Sequence, residues 1–294
     1  MPTDCYEISN QLIRIRVAAR GAELKELFHL THQHSYLWSG DPSFWGKTSP
    51  VLFPIVGTLK NNQYSWQNKT YSLPRHGFAR EKNFKLISQS SDTLLFQLRE
   101  DAETLELYPF PFQLSIRYQL DEASLQVIYL VENSGTSPLL FSLGAHPAFA
   151  LPIEPTLTYA DYYLEFSEPE NAPIYPLTAD GLIVPEPKPF FHQTRQLALH
   201  PELFYGDALV FKNLHSNKIT LASHNGKRAL DFHFPNTPYF GIWSARNAQF
   251  ICLEPWHGIA DHDATASGKL EEKEGICTLL PGAEFQMEWR VTLR

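Results

Sequence analysis

Four places in the chain carry side chains able to move protons or grip a polar ligand. In Gly144-Ala145-His146-Pro147-Ala148-Phe149 a histidine stands directly before a proline. The proline ring clashes with helical backbone at the preceding residue, so His146 is expected to be extended. Imidazole is also the side chain whose ordinary pKa lies nearest neutrality. The arrangement recurs in Cys252-Leu253-Glu254-Pro255-Trp256-His257-Gly258, where a carboxylate ends an apolar strand and precedes a proline. A carboxyl beside Trp and Pro is partly desolvated, which raises its pKa and makes it a better base. Arg75-His76-Gly77-Phe78-Ala79-Arg80 sets two guanidinium groups and an imidazole around a glycine, a set that suits a hydroxyl-rich or anionic ligand. Asp207, after Gly206 and ahead of an apolar run, can accept hydrogen bonds from ligand hydroxyls or close a turn. Taken singly, each place also fits a structural duty: a buried histidine, a carboxylate satisfying backbone N–H groups, a solvated loop, a turn. Together, one histidine and one carboxylate make a general acid–base pair.

Strands must position these groups. Pro138-Leu139-Leu140-Phe141-Ser142-Leu143 leads into His146, and Phe250-Ile251-Cys252-Leu253 leads into Glu254. Apolar–polar alternation, the period of a half-buried strand, runs through 13–17, 93–98, 112–120, 124–131, 218–222, 229–234 and 284–291, and the apolar run 239–243 reads as a further strand. Tyr64-Ser65-Trp66 and Lys69-Thr70-Tyr71-Ser72-Leu73 flank Gln67-Asn68 and read as a hairpin. The apolar stretch 44–57 is broken by Pro50, Pro54, Gly46 and Gly57, so it is neither regular strand nor helix, and it suits the wall or floor of a pocket. From 152 to 201 the chain is proline-rich and reads as short strands and long surface loops, with Pro201-Glu202-Leu203-Phe204 as a single helical turn. Strands that follow one another closely pair antiparallel, and this many must stack their sheets to bury apolar faces. The expectation is an all-β chain, a large antiparallel β-sandwich with few short helices, forming one domain over 1–294.

Composition narrows the partners. The 294 residues are 43% hydrophobic and 13% aromatic, with 22 prolines against 15 glycines, a balance that favours strands, edges and loops. Net charge is −8 and no basic stripe is visible, so nucleic acid is not expected as a partner. Cys5, Cys252 and Cys277 are odd in number and far apart, and form neither a disulfide framework nor a metal motif. The first residues lack a basic segment followed by an apolar one, and no apolar run approaches the roughly 20 residues of a membrane helix. A cytoplasmic protein, monomer or homodimer, without membrane contact is expected. His32-Gln33-His34 has no further ligand pattern to make it a zinc site. His257, His262, Asp261 and Asp263 form a denser polar cluster. No phosphate loop, nucleophile elbow or dinucleotide fingerprint is present, and neither cofactor nor metal is expected.

In chain order, Pro50-Val51-Leu52-Phe53-Pro54-Ile55-Val56-Gly57, His76-Gly77-Phe78-Ala79-Arg80, Gly144-Ala145-His146-Pro147-Ala148-Phe149, Asp207-Ala208-Leu209-Val210-Phe211 and Leu253-Glu254-Pro255-Trp256 resemble the aldose 1-epimerase (galactose mutarotase-like) family, in particular its LacX-like branch. The resemblance spans nearly the whole chain. It implies the family's antiparallel supersandwich and an isomerase of carbohydrate metabolism that interconverts α and β anomers of an aldohexose without a cofactor. It assigns His146 as general acid, Glu254 as general base and His76 as the other active-site histidine, which contacts the sugar near its ring oxygen. Asp207 then binds sugar hydroxyls, and Arg80 and Lys47 are further substrate contacts. Thr58 stands where this branch often has an arginine, so no contact is carried over from that position. Two other readings of the same residues stand beside this one. One is the same reaction on a hexose 6-phosphate, with Arg75, Arg80 or Lys47 meeting the phosphate. The other is a carbohydrate-binding or sensing protein without turnover. Trp243 and Trp256 are candidates for stacking on a sugar face.

Overall fold

Alternating residues become sheet nearly everywhere they occur. The computed structural model describes residues 5–294. Nine strands form one antiparallel sheet in the spatial order Thr194–Ala198, Tyr162–Glu170, Lys218–Ser223, Leu230–His233, Glu284–Leu293, Ser124–Glu132, Gln113–Asp121, Thr93–Arg99 and Lys85–Gln89. A second sheet runs Leu209–Lys212, Tyr239–Trp243, Phe250–His257, Leu143–Ala145 and Val51–Leu52, with Ala148–Ala150 also paired to Phe250–His257. The N-terminal strands Cys5–Ser9, Ile13–Ala18, Glu23–His29 and His34–Ser35 make a four-stranded meander. The expected hairpin is present as Gln63–Trp66 paired with Lys69–Ser72. Pro201–Phe204 is a 3₁₀ turn.

The two large sheets meet through aromatic side chains. Phe232 of the nine-stranded sheet lies 5.6 Å from Phe149 and 6.4 Å from Phe240 of the second sheet, ring centre to ring centre. Behind it Trp289, fully buried, donates its indole N–H to the Tyr129 hydroxyl at 3.1 Å. Each such ring, withdrawn from water, stabilises by about 1.5–3 kcal/mol. This layer makes the second sheet a rigid platform, and the candidate catalytic residues stand on it.

Two details depart from the sequence reading. Ala102–Leu107 is a short α-helix. Its signal is a capping box: Asp101 accepts from the Thr104 N–H at 2.7 Å, while the Asp101 N–H donates to Thr104 Oγ1 at 2.8 Å. Glu254 does not end its strand, which continues through Pro255 to His257. The proline is tolerated because the strand facing it on one side is itself interrupted there.

The N-terminal meander carries a set of histidines with a consequence for stability. The rings of His29 and His32 stack at 3.7 Å, and His34 Nε2 is buried without a partner. Burial lowers the pKa of all three, and the Arg228 guanidinium adds to this, while Glu154 opposes it at His32. The unfolded chain therefore binds protons below about pH 6.5 that the folded protein refuses, and stability falls as pH falls through that range. Urea titrations between about pH 7.5 and 5 should show the midpoint dropping, and a His34→Asn variant should show a shallower drop. An identical slope in the variant would remove His34 from the effect.

Candidate active site

The pairing register explains how two residues more than a hundred positions apart meet. Strand Phe250–His257 pairs with Leu143–Ala145 through Leu143 opposite His257 and Gly144 opposite Trp256. It pairs with Ala148–Ala150 through Ala148 opposite Cys252 and Phe149 opposite Ile251. The same register carried across the gap puts His146 opposite Glu254. Pro147 and Pro255 lie in that gap, and neither offers an N–H to a ladder. The ladder opens locally, and the two directly opposed side chains leave from the same face. His146 Nε2 lies 3.3 Å from Glu254 Oε2, with the residues 8% and 1% exposed. Nδ1 of His146 is buried with no partner. The parallel His-Pro and Glu-Pro dipeptides are thus two sides of one feature.

Both groups face a cavity of about 650 Å³, which His76, Asp207, Arg75 and Arg80 also line. Trp256 forms part of its floor. Its indole fits only because two neighbours lack side chains: a Cβ at Gly241 would come within 2.4 Å of the ring, and one at Gly144 within 2.7 Å. Trp45 stacks on the His146 imidazole at 4.8 Å, and Trp243 meets the same ring edge-on at 5.6 Å. These contacts fix the plane of the imidazole, so Trp45 and Trp243 position His146.

His76 is held in a conformation few non-glycine residues adopt, φ +68°, followed by Gly77 at +69°. At Gly77 a Cβ would strike the Phe53 carbonyl at 2.3 Å, so the turn requires glycine. The strain at His76 turns its ring into the cavity, 5.9 Å from that of His146. The Gly57 N–H donates to His76 Nδ1 at 3.1 Å. That bond leaves Nε2 carrying the hydrogen, so His76 is a fixed donor to an oxygen in the cavity. Asp207 is likewise strained, with φ +93°. Its Oδ1 accepts from the Ala208 N–H at 2.7 Å, and its Oδ2 lies 3.6 Å from Arg75 Nη1. Arg80 donates through Nη2 to the Arg75 carbonyl at 2.9 Å, and its buried Nε makes no hydrogen bond but lies 4.0 Å from Glu81 Oε1.

Burial dominates the electrostatics. It drives His146 down to about 3, helped by the Arg80 and Arg75 charges. It also drives His76 well below its ordinary value. Glu254 is pushed well above the usual carboxylate range, with the Arg75 charge opposing and the Asp207 charge adding. Two neighbouring groups whose charged forms are both disfavoured hold one proton between them, as carboxyl plus imidazole or as carboxylate plus imidazolium. Such a pair can give a proton to one oxygen while taking one from another. His146, Cys252 and Glu254 also present ligand atoms within 4.8 Å of one another. Cys252 joins them because residues two apart on a strand share a face. Nitrogen, thiol and carboxylate suit zinc, and a cation there would occupy both proton-transfer groups.

Of the six residues expected at the site, His146, Glu254, His76, Asp207 and Arg80 line one cavity, and Lys47 does not. Lys47 Nζ lies instead 2.8 Å from Glu81 Oε1, and that carboxylate also pairs with Arg20. Residues 44–57 do form wall and floor, through Trp45, Val56 and Gly57. Sequence reasoning passed over the contribution of 177–183. There a bridge between Leu177 and Ile183 brings Thr178, Ala179 and Gly181 over the cavity. No motif marks that segment; Gly181 alone hints at it, since a Cβ there would meet both Arg75 Nη1 and Thr58 Oγ1 at 2.9 Å.

Comparison with known proteins identifies the family and the fold. The sequence model of the family described as Aldose 1-epimerase matches residues 4–275. The chain is 31% identical to the chromosomal Protein LacX of Lactococcus lactis subsp. lactis, over 98% of each chain. A galactose mutarotase related enzyme from Lactobacillus acidophilus superposes with a TM-score of 0.93 at 32% identity, over 99% of this chain and 97% of that one. A galactose mutarotase-like protein from Lactobacillus casei gives 0.92 at 30% identity, over 99% and 100%.

Proposed function

The chain belongs to the aldose 1-epimerase family, and from that premise we propose that it interconverts the α and β anomers of a free aldohexose by proton exchange through Glu254 and His146. The observation that carries this reading is the opposed pair of a buried imidazole and a buried carboxyl, 3.3 Å apart in one cavity. With the pair as carboxylate and imidazolium, Glu254 takes the proton of the C1 hydroxyl and His146 gives one to the ring oxygen. The C1–O5 bond breaks, leaving the open-chain aldehyde and the pair as carboxyl and imidazole. Rotation about C1–C2 turns the other carbonyl face to O5. His146 then removes the O5 proton, Glu254 returns one to O1, and the ring closes as the other anomer. Every proton taken is given back. His76, a neutral donor, supports the ring-oxygen side, while Asp207 and Arg75 meet the remaining hydroxyls.

Freshly dissolved α-glucose or α-galactose should reach anomeric equilibrium faster with the protein than in buffer, followed by polarimetry or NMR. If neither sugar nor its 6-phosphate does so, the catalytic reading fails and a binding role remains. Hexose 6-phosphates are a second reading, favoured by one observation: two guanidinium groups, Arg75 and Arg80, line the same cavity. Two guanidinium groups suit a phosphate. A kcat/KM higher for the phosphate than for the free sugar would select it.

The pH profile should follow the shared proton. Activity is lost when the pair gains a second proton, and His146, driven down to about 3, accepts it only in strong acid. At the other end activity is lost when the remaining proton leaves, which the raised Glu254 delays beyond the usual carboxylate range. The plateau in kcat/KM should therefore extend well below pH 6. An acid limb centred near the ordinary imidazole value would contradict it.

A further inference from the structure

Proton transfer between Glu254 and His146 leaves Cys252 without a task. Cys252 stands two residues before Glu254 on one strand, so the two side chains leave from the same face. It is fully buried, grouped with Trp38, Ala148 and Phe250. Burial, with the Glu254 charge adding, holds its thiol well above the ordinary value, so by itself it is no nucleophile. Its place is nevertheless one from which a cation can be gripped. The Cys252 sulfur, a nitrogen of His146 and an oxygen of Glu254 lie within 4.8 Å of one another, and no other such trio is arranged to hold a cation among the described residues. Two of the three also face the cavity, which gives an ion its way in. His146 Nδ1 is buried without a partner, so no hydrogen bond from that atom ties the imidazole down.

We propose that His146, Cys252 and Glu254 form a binding site for zinc, and, resting on the mutarotase reading for the consequence, that the bound ion switches anomer interconversion off. Four-coordinate zinc sets nitrogen, oxygen and sulfur ligands about 3.3–3.5 Å apart. His146 and Glu254 already stand at 3.3 Å, and rotation of the Cys252 side chain closes the rest. The fourth position opens on the cavity and takes water. Two anionic ligands, thiolate and carboxylate, cancel the charge of the dication, so the buried site gains no net charge when the metal replaces their protons. The Arg75 and Arg80 charges oppose a cation, but each is partly offset, Arg75 by Asp207 at 3.6 Å and Arg80 by Glu81 at 4.0 Å. A thiolate and an imidazole select zinc, cobalt or cadmium over magnesium and calcium, which need six or more oxygens. With the carboxylate and the imidazole both held by the metal, neither is free to take or give a proton.

The test titrates the whole protein, first stripped with a chelator, with cobalt(II) as a spectroscopic stand-in and with zinc as competitor. One equivalent of cobalt should give the near-ultraviolet absorption of a thiolate bound to cobalt and the visible bands of a four-coordinate ion, and zinc should abolish both. Cys252→Ala should lose the thiolate band and weaken zinc binding by about 100-fold or more; Cys252→Ser, closer in size, guards against a folding failure and should behave alike. Zinc should inhibit wild-type interconversion of α-glucose or α-galactose, with chelator restoring it, and magnesium at the same concentration should not. The zinc concentration for half inhibition should rise about 100-fold in Cys252→Ala. Cobalt bound without a thiolate band, or equal zinc affinity in wild type and both Cys252 variants, overturns the site. Zinc bound with turnover unaffected overturns the switch. Absence of sugar turnover in the metal-free protein overturns the mutarotase reading and the switch with it, while the cobalt spectrum still decides the site.

Discussion

Glu254→Gln is expected to lower kcat for anomer interconversion by about 10²–10⁴-fold, the worth of one well-placed proton-transfer group. Glutamine matches the shape of the side chain but cannot accept the C1 hydroxyl proton. His146→Asn should fall by a similar factor, because in the proposed reaction the imidazole gives and retakes the ring-oxygen proton. The double variant should be little worse than either single one, since the two groups hold one proton and act as a unit. Stability should move the other way. A carboxyl whose pKa is raised by burial works against folding at neutral pH, because the unfolded chain gives up a proton that the folded chain must keep. Glu254→Gln removes that penalty, so its denaturation midpoint near pH 7 should equal or exceed that of the wild type. The expected signature is lost turnover in a protein no less stable. Full activity in Glu254→Gln would take the carboxylate out of the mechanism, and a large fall in stability would make its role structural.

The sequence exposed those parts of the site that short-range chemistry controls. A proline acts on the residue before it, so the extended backbones of His146 and Glu254 could be read from two dipeptides. Their opposition could not, because it depends on the register between strands of which one is split at Pro147. His76 and Gly77 were visible as a polar turn, but the positive φ that aims the imidazole depends on the close approach of the Phe53 carbonyl. Lys47 lies off the cavity lining for the opposite reason. A lysine's charge carries no address, and a carboxylate at Glu81 claims it. Sheets followed from period-two alternation over most of the chain, whereas 171–192, bridged at Ile174–Lys188 and Leu177–Ile183, has no periodicity to read. It becomes a cavity wall only through long-range partners, among them Val210, whose carbonyl accepts from the Tyr175 N–H, and Asp261, whose carbonyl accepts from the Ile183 N–H.

The polar cluster around Asp261 holds the wall of the cavity, so Lys273→Met is expected to destabilise the protein by about 3–5 kcal/mol, the usual effect of removing one member of a buried ion pair. Lys273 Nζ lies 2.9 Å from Asp261 Oδ1 and 2.5 Å from the Ile259 carbonyl, and the two side chains are 2% and 7% exposed. The other Asp261 oxygen accepts from the Lys60 N–H at 2.9 Å. Asp261 also receives the Ile183 N–H on its carbonyl and donates its own N–H to Thr58. One ion pair therefore joins three segments, 57–60, 181–183 and 259–261, and each contributes residues to the cavity wall. Without the ammonium, Asp261 becomes a buried, unpaired charge and Ile259 loses a donor. The melting temperature should fall by roughly 10 °C. Asp261→Asn should also destabilise, by stranding the lysine. The double replacement Asp261→Asn with Lys273→Met should be less damaging than the sum of the two, because neither charge is then left alone. Anomer interconversion by surviving folded Lys273→Met should also slow, since a displaced Ala260 would press on Gly57, whose N–H holds His76. Additive single and double effects would show that the two charges do not depend on each other, and an unaltered rate would separate the wall from the chemistry.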